Sequence, residues 1–270
     1  MPRGLRWLAG LGALALLAGA NEPPTVSRTR PANGVPPGLQ CLWHAYPEQV
    51  CQVKANALVW CDGSEMVYES GRKHGSHEDL LDQPDLQDMM AMRYPTGGEA
   101  ATAPPVNVEP GRVRHEPFFR KMYGGSREEV AGQTARVTWL DGRRVRVTTV
   151  NGVNERLKAV LKGLRALPAS ERQVVEKTAG VFNWRKFRGT PRQSMHSFAV
   201  AIDAGVSHAD YWKWSKRRNA DGSIVYRNRI PMSVVRTFEA HGFIWGGRWY
   251  HHDTMHFEYR PELLHSLCAR

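Results

Sequence analysis

The chain predicts an α+β fold, and three observations carry that reading. Two β-rich runs, 134–140 and 143–150, flank an Asp141-Gly142 turn, a strong hairpin signature. The next run, 154–167, places Leu157, Val160, Leu161, Leu164 and Leu167 on one helical stripe. Elsewhere strand and helix signals mix without the regular alternation that builds a doubly wound sheet.

Taken in order, residues 1–20 read as a secretory signal. Arg3 and Arg6 precede an apolar run at 7–17, and Ala18-Gly19-Ala20 supplies the small residues of a cleavage site. An uncleaved anchor is the competing reading, but the run is short for a span of about 20 residues. The absence of a cysteine directly after it argues against a lipoprotein. Residues 21–40 hold five prolines and almost no apolar periodicity, so they read as an exposed linker. Residues 41–111 form an N-terminal disulfide-containing region, with a strand at Ala57–Trp60, a turn at Asp62-Gly63 and a helical stretch over 77–92. Residues 112–270 are assigned to a single larger domain, in which the secondary-structure signals sharpen. Beyond the hairpin and helix this region offers a short strand at 181–184 and a helix at Met232–Glu239 that stops at Gly242. A final strand is expected at His256–Tyr259.

The formal charge is +11 over 270 residues, with 41% hydrophobic and 9% aromatic side chains. That composition supports a real core and a surface attractive to polyanions. In an exported protein the acidic polymers of a cell wall become the natural partner and nucleic acid the least natural. No stable membrane insertion is expected once the signal is removed. Cys41, Cys51, Cys61 and Cys268 all lie beyond the signal, and an even count in an oxidising compartment suggests two disulfides. A zinc knuckle would need a C-x2-C pair, which is missing. Three connectivities are open; a short hairpin over 51–61 favours Cys51–Cys61 and therefore Cys41–Cys268.

Two segments carry the chemistry, SMHSFAVAID at 194–203 and WGGRWYHHDTMHFE at 245–258. A hydrolytic zinc site takes three nitrogen or oxygen ligands and leaves one position open. His196 and Asp203, seven apart, meet one metal if the chain turns between them, and His256 on a closing strand completes the set. Asp253, three residues before His256, is placed to act as general base without ligating. His251 and His252 flank that base, and one of them is read as orienting it. Glu258 is expected to point away from the metal, and Trp245 to belong to the core. Tyr211, Trp212, Trp214, Trp249 and Tyr250 suit either a groove or a core. His208, His241 and His265 lack a partner at ligand spacing and are read as surface residues.

These segments resemble the paired motifs of the zinc D-Ala-D-Ala carboxypeptidase and L-alanyl-D-glutamate peptidase family, which shares its fold with the Hedgehog signalling domain. The first motif, S-x-H-x-x-G-x-A-x-D, is matched at Ser194, His196, Ala201 and Asp203; the second, D/E-x-x-H, at Asp253 and His256. Asn183-Trp184-Arg185 resembles the aromatic-Arg element that precedes the first motif. Glu109-Pro110-Gly111-Arg112, Pro117-Phe118-Phe119, Met122-Tyr123-Gly124 and Val150-Asn151-Gly152-Val153 resemble one bacterial branch, so the likeness spans about 57–264. It implies a small antiparallel sheet with flanking helices carrying Zn2+, and peptidoglycan stem peptides as substrate. It further implies that Arg185 holds substrate carbonyl or carboxylate groups. Ser194, Arg192 and Trp249 are the expected substrate contacts; Arg188 and Arg192 read otherwise as surface charges, and Ser194 as a turn cap. One position departs: the family glycine is Ala199, strained if that site needs positive φ. The alternative function is a zinc-containing wall-binding module that no longer catalyses.

Overall fold

The computed structural model describes residues 25–97, 103–214 and 216–269. The signal read at 1–20 lies outside them. The described elements begin with α1 (Pro37–Ala45), β1 (Val50–Lys54), β2 (Ala57–Trp60), β3 (Glu65–Val67), α2 (His77–Asp82), α3 (Leu86–Ala91), α4 (Glu116–Tyr123) and α5 (Arg127–Gly132). They continue with β4 (Thr134–Thr138), β5 (Arg144–Thr148), α6 (Val153–Ala166), α7 (Ala169–Arg172), β6 (Thr178–Gly180) and β7 (Ala201–Ala204). Last come α8 (Met232–Glu239), β8 (Phe243–Trp245), β9 (His256–Tyr259) and α9 (Pro261–Leu264). None of the described helices is long and apolar enough to cross a membrane.

The strands form three antiparallel sheets, β1-β2-β3, β4-β5 and β6-β7-β9-β8. The third is the frame of the candidate site. Its two inner strands, β7 and β9, are buried at nearly every position, so their register is held by packing on both faces. That register sets Asp203 opposite His256. Helix α6 covers the core with Val153, Leu157, Val160, Leu161 and Leu164, each worth about 1.5–3 kcal/mol when fully buried.

Several elements differ from expectation, each for a local reason. The helical run at 77–92 breaks into α2 and α3 around Pro84, and α3 restarts on a reciprocal Asp85/Asp88 capping box. The strand expected at 181–184 lies just upstream, in β6, and ends at Gly180, whose φ is +115°. The following residues bond instead to the loop that carries His196, through Asn183 N to the His196 carbonyl and Ser194 N to the Arg185 carbonyl. The linker reading of 21–40 also needs correction. Residues 25–34 are largely exposed, yet Val26 N and Thr29 N donate to the Cys61 and Cys51 carbonyls, and Arg28 stacks 3.8 Å over Trp43. From Pro37 the chain is helical, because proline fits the first turn of a helix, where no backbone donor is required.

Cys51 bonds to Cys61 and Cys41 to Cys268, the pairing the hairpin favours. The second bridge fixes α1 to the chain end beyond α9. One hydrophobic cluster runs from Val35 to Cys268, so 41–111 and the remainder of the chain share a core.

Candidate metal centre and its cleft

A short turn at Met195–Phe198 carries His196, and Ala199 then reverses the chain into β7, which delivers Asp203. Ala199 sits at φ +55°, ψ +31° with no solvent exposure; among the described residues only Asn107 and Asn151 share positive φ without being glycine. The backbone there adopts the left-handed conformation a glycine would supply, and the methyl group bears the strain.

The three expected ligands converge. His196 Nε2 and His256 Nδ1 each lie 3.2 Å from Asp203 Oδ1, and the two rings meet edge-on at 5.3 Å. His196 Nδ1 donates to the Val181 carbonyl at 2.8 Å, which fixes the tautomer and turns the Nε2 lone pair inward. That Nε2 is buried, and despite its nearness to Asp203 it has no hydrogen bond of proper geometry. Nitrogen and oxygen donors gathered this closely, with His196 Nε2 left unpartnered, form a set that could hold a metal ion.

Electrostatics follow from burial and partners. Burial opposes ionisation of Asp203, but the adjacent imidazoles of His196 and His256 hold it far below the usual carboxylate range. Burial likewise opposes charge on His256, yet bonds to Asp203 and Glu258 raise it to about 9. Asp253 behaves differently: burial, aided by the Asp203 charge, raises it to about 6, and its Oδ1 has no partner. Its position is set by the backbone. Asp253 N donates to the Gly246 carbonyl at 3.0 Å, and a Cβ on Gly246 would stand 2.6 Å from the Asp253 carbonyl oxygen. Only glycine allows that approach.

Asp253 and His256 open on a cleft of about 320 Å³, whose wall also holds Arg112, Arg114, Arg185, Trp249 and Lys213. Arg185 is exposed on this wall. Trp249 is buried, donating from Nε1 to the Pro110 carbonyl at 2.7 Å with its ring 5.4 Å from that of His256. Arg192 reaches the same wall, but Glu78 at 2.8 Å and Asp82 at 3.5 Å occupy its guanidinium. Ser194 is fully buried with its Oγ unpartnered, and it is not part of the cleft wall. Trp245 is core, its Nε1 bonded to the Thr254 carbonyl.

Two expectations fail. Glu258 does not point away from the site: residues two apart share a face of a strand, so Glu258 follows His256, and its Oε2 accepts from His256 Nε2 at 2.9 Å. Burial opposes its ionisation, but Arg114 and then His256 and Arg260 keep it strongly acidic. Neither neighbouring histidine bonds to Asp253, for His251 engages Glu109 and His252 packs on Tyr226 with ring centroids 5.0 Å apart. Arg112, Arg114 and Lys213 were not singled out from sequence as site residues. Arg112 lies in the Pro-Gly-Arg stretch of the resemblance, but nothing in that stretch encodes a cleft some 140 residues downstream.

A buried His–Asp–His set beside an unpaired carboxyl, at the mouth of a cationic cleft, has the composition of a metallohydrolase site. Residues 188–259 match the family model described as D-alanyl-D-alanine carboxypeptidase. The match takes in His196, Asp203, Asp253 and His256 and begins three residues after Arg185. It is narrower than the likeness read from sequence. Comparison with curated proteins and with solved structures gives no match.

Proposed function

We propose that this protein is an exported zinc peptidase that hydrolyses peptide bonds in the stem peptides of peptidoglycan. The observation that carries the proposal is that Asp253, with an unpartnered oxygen, lines one cationic cleft together with His256, a member of the His196–Asp203–His256 set. His196 Nε2, Asp203 and His256 Nδ1 would hold the ion. Bound there, zinc would polarise the scissile carbonyl and favour ionisation of the attacking water. Asp253 would take the proton from that water and return it to the leaving amine, a task suited to a carboxyl held near neutrality.

Arg185, exposed on the cleft wall, would grip a substrate carboxylate or carbonyl with its planar fork. Stem peptides carry several carboxylates, and a wall holding Arg112, Arg114, Arg185, Arg188 and Lys213 complements them. The paired cysteines accord with an oxidising compartment.

The test is incubation of zinc-loaded protein with purified muropeptides, reading products by mass. Loss of one alanine from the stem end marks a carboxypeptidase, and a cut between L-Ala and D-Glu marks an endopeptidase. Protein that binds muropeptides and cuts none would overturn the proposal in favour of a binding module.

A further inference from the structure

A second cluster of histidine and carboxylate lies outside the site just described and shares no residue with it. Glu109 is fully buried, and its two oxygens face two imidazoles: Oε2 lies 3.0 Å from His77 Nε2, and Oε1 bonds to His251 Nδ1. The rings of His77 and His251 stack at 6.3 Å with 22° between their planes. One donor atom from each of the three residues falls within 4.8 Å of the others. We propose that His77, Glu109 and His251 form a second metal centre, binding a divalent transition ion of the zinc class.

The competing account is a purely hydrogen-bonded triad, since Glu109 also accepts from His251 N at 2.9 Å and has Arg112 at 3.6 Å. The arrangement of the rings favours a metal. Each imidazole directs one nitrogen at the same buried carboxylate, and a single cation satisfies both lone pairs and the carboxylate at once. Two nitrogens and one oxygen select zinc, cobalt or nickel over calcium or magnesium, which demand oxygen ligands. The histidine side chains are 18% and 20% exposed, so solvent can supply the remaining ligand and the ion has a path of entry.

The three residues come from α2, from the segment before α4 and from the loop that ends at Asp253, separated by 32 and 142 positions. An ion here ties the N-terminal region to the cleft. His251 stands two residues before Asp253, and its carbonyl accepts from the cleft-wall Arg112 at 2.8 Å. The centre therefore braces the loop without touching substrate.

The test uses the full mature chain, stripped with chelator, reloaded with zinc, freed of excess by gel filtration and assayed for metal by mass spectrometry. Wild type should hold two equivalents. The His196→Ala/His256→Ala protein and the His77→Ala/His251→Ala protein should each hold one. As a milder probe, His77→Gln keeps a polar side chain at a partly exposed site but ligates poorly. It should weaken the second equivalent at least tenfold while leaving the melting of the stripped protein unchanged. A His77→Ala/His251→Ala protein that holds as much zinc as wild type would overturn the second centre. Loss of all metal from His196→Ala/His256→Ala would overturn it as well. Failure of the primary site reads out separately, as a His196→Ala/His256→Ala protein that still binds as much zinc as wild type.

Discussion

Nε2 of His256 donates to Oε2 of Glu258 at 2.9 Å, while Nδ1 of the same ring faces Asp203 Oδ1 at 3.2 Å. The ring is thereby clamped from behind, and Nδ1 is the nitrogen aimed at the proposed zinc position. Glu258 is itself held by Arg114 and by Arg260, whose Nη1 lies 3.1 Å away. Arg260 also pairs with Glu262, which accepts from Tyr46 OH at 2.6 Å just beyond α1. A buried chain of alternating charges thus runs from His256, a proposed metal ligand, to the N-terminal region.

Glu258→Gln tests that clamp. The amide keeps the shape but removes the charge that raises the basicity of His256 and balances two buried guanidinium groups. Zinc affinity should fall about 10–100-fold, as is usual when a carboxylate behind a ligating histidine is lost. Stability should fall by about 3–5 kcal/mol, the usual cost of breaking a buried ion pair. Chelator competition and urea unfolding read the two effects. Unchanged zinc affinity would make Glu258 a packing residue only.

The arginines of the cleft separate by their partners. Arg192 is engaged by Glu78 and Asp82, whereas Arg185 is exposed beside Asp253 and His256. Arg185→Lys should keep zinc and fold yet lose at least tenfold in kcat/KM, because an ammonium cannot copy a bidentate grip. Arg192→Lys should change kcat/KM less than about threefold, since the charge to Glu78 remains. Steady-state kinetics on one muropeptide decide it, and the reverse ranking would reassign the clamp.

Much of this was legible because the site lies in short, continuous motifs. His196 and Asp203 are bridged by one turn and one strand, and Asp253 and His256 by a single loop, so spacing encodes their geometry. The hairpin around Asp141-Gly142 and the stripe of α6 are likewise local signals. Arg114 was not legible as a cleft residue, nor Glu109 and His77 as a cluster, because long-range packing that no spacing records brings them into place. Glu258 was misread although its period-two relation to His256 was present in the sequence. The tether on residues 25–34 was hidden because its bonds to the Cys51 and Cys61 carbonyls use backbone, which carries no sequence signature.

Ala199 makes its own prediction. Its left-handed backbone costs an alanine about 1–2 kcal/mol. In Ala199→Gly, relief of that strain is offset by a lost buried methyl of about 0.8 kcal/mol and by the greater freedom of glycine in the unfolded chain. Stability should therefore stay within about 1 kcal/mol of wild type. Ala199→Val puts a branched side chain on the same conformation in a fully buried site, and it should cost more than about 2 kcal/mol and release zinc. Urea unfolding with metal analysis measures both; a valine variant as stable as wild type would show that the turn does not depend on this backbone.

Asp253 separates an enzyme from a binding module. Asp253→Asn keeps size and hydrogen-bonding shape and removes the proton acceptor, so zinc and muropeptide should still bind while turnover falls about 100-fold or more. The substitution has a second, independent signature in protein stripped of metal. There burial raises Asp253 to about 6, above the unfolded value near 3.9. A carboxyl with a raised folded pKa contributes stability while protonated; that contribution is complete below about pH 4 and is lost as pH rises through about 6. Stripped wild type should accordingly lose stability relative to stripped Asp253→Asn as the pH is raised from 4 to above 6, and asparagine, which does not titrate, should show no such loss. Thermal melts across that window and a muropeptide assay at neutral pH give the two readouts. A pH-independent stability difference would show that Asp253 is not held in a desolvated site, and near-normal turnover in Asp253→Asn would rule it out as the general base.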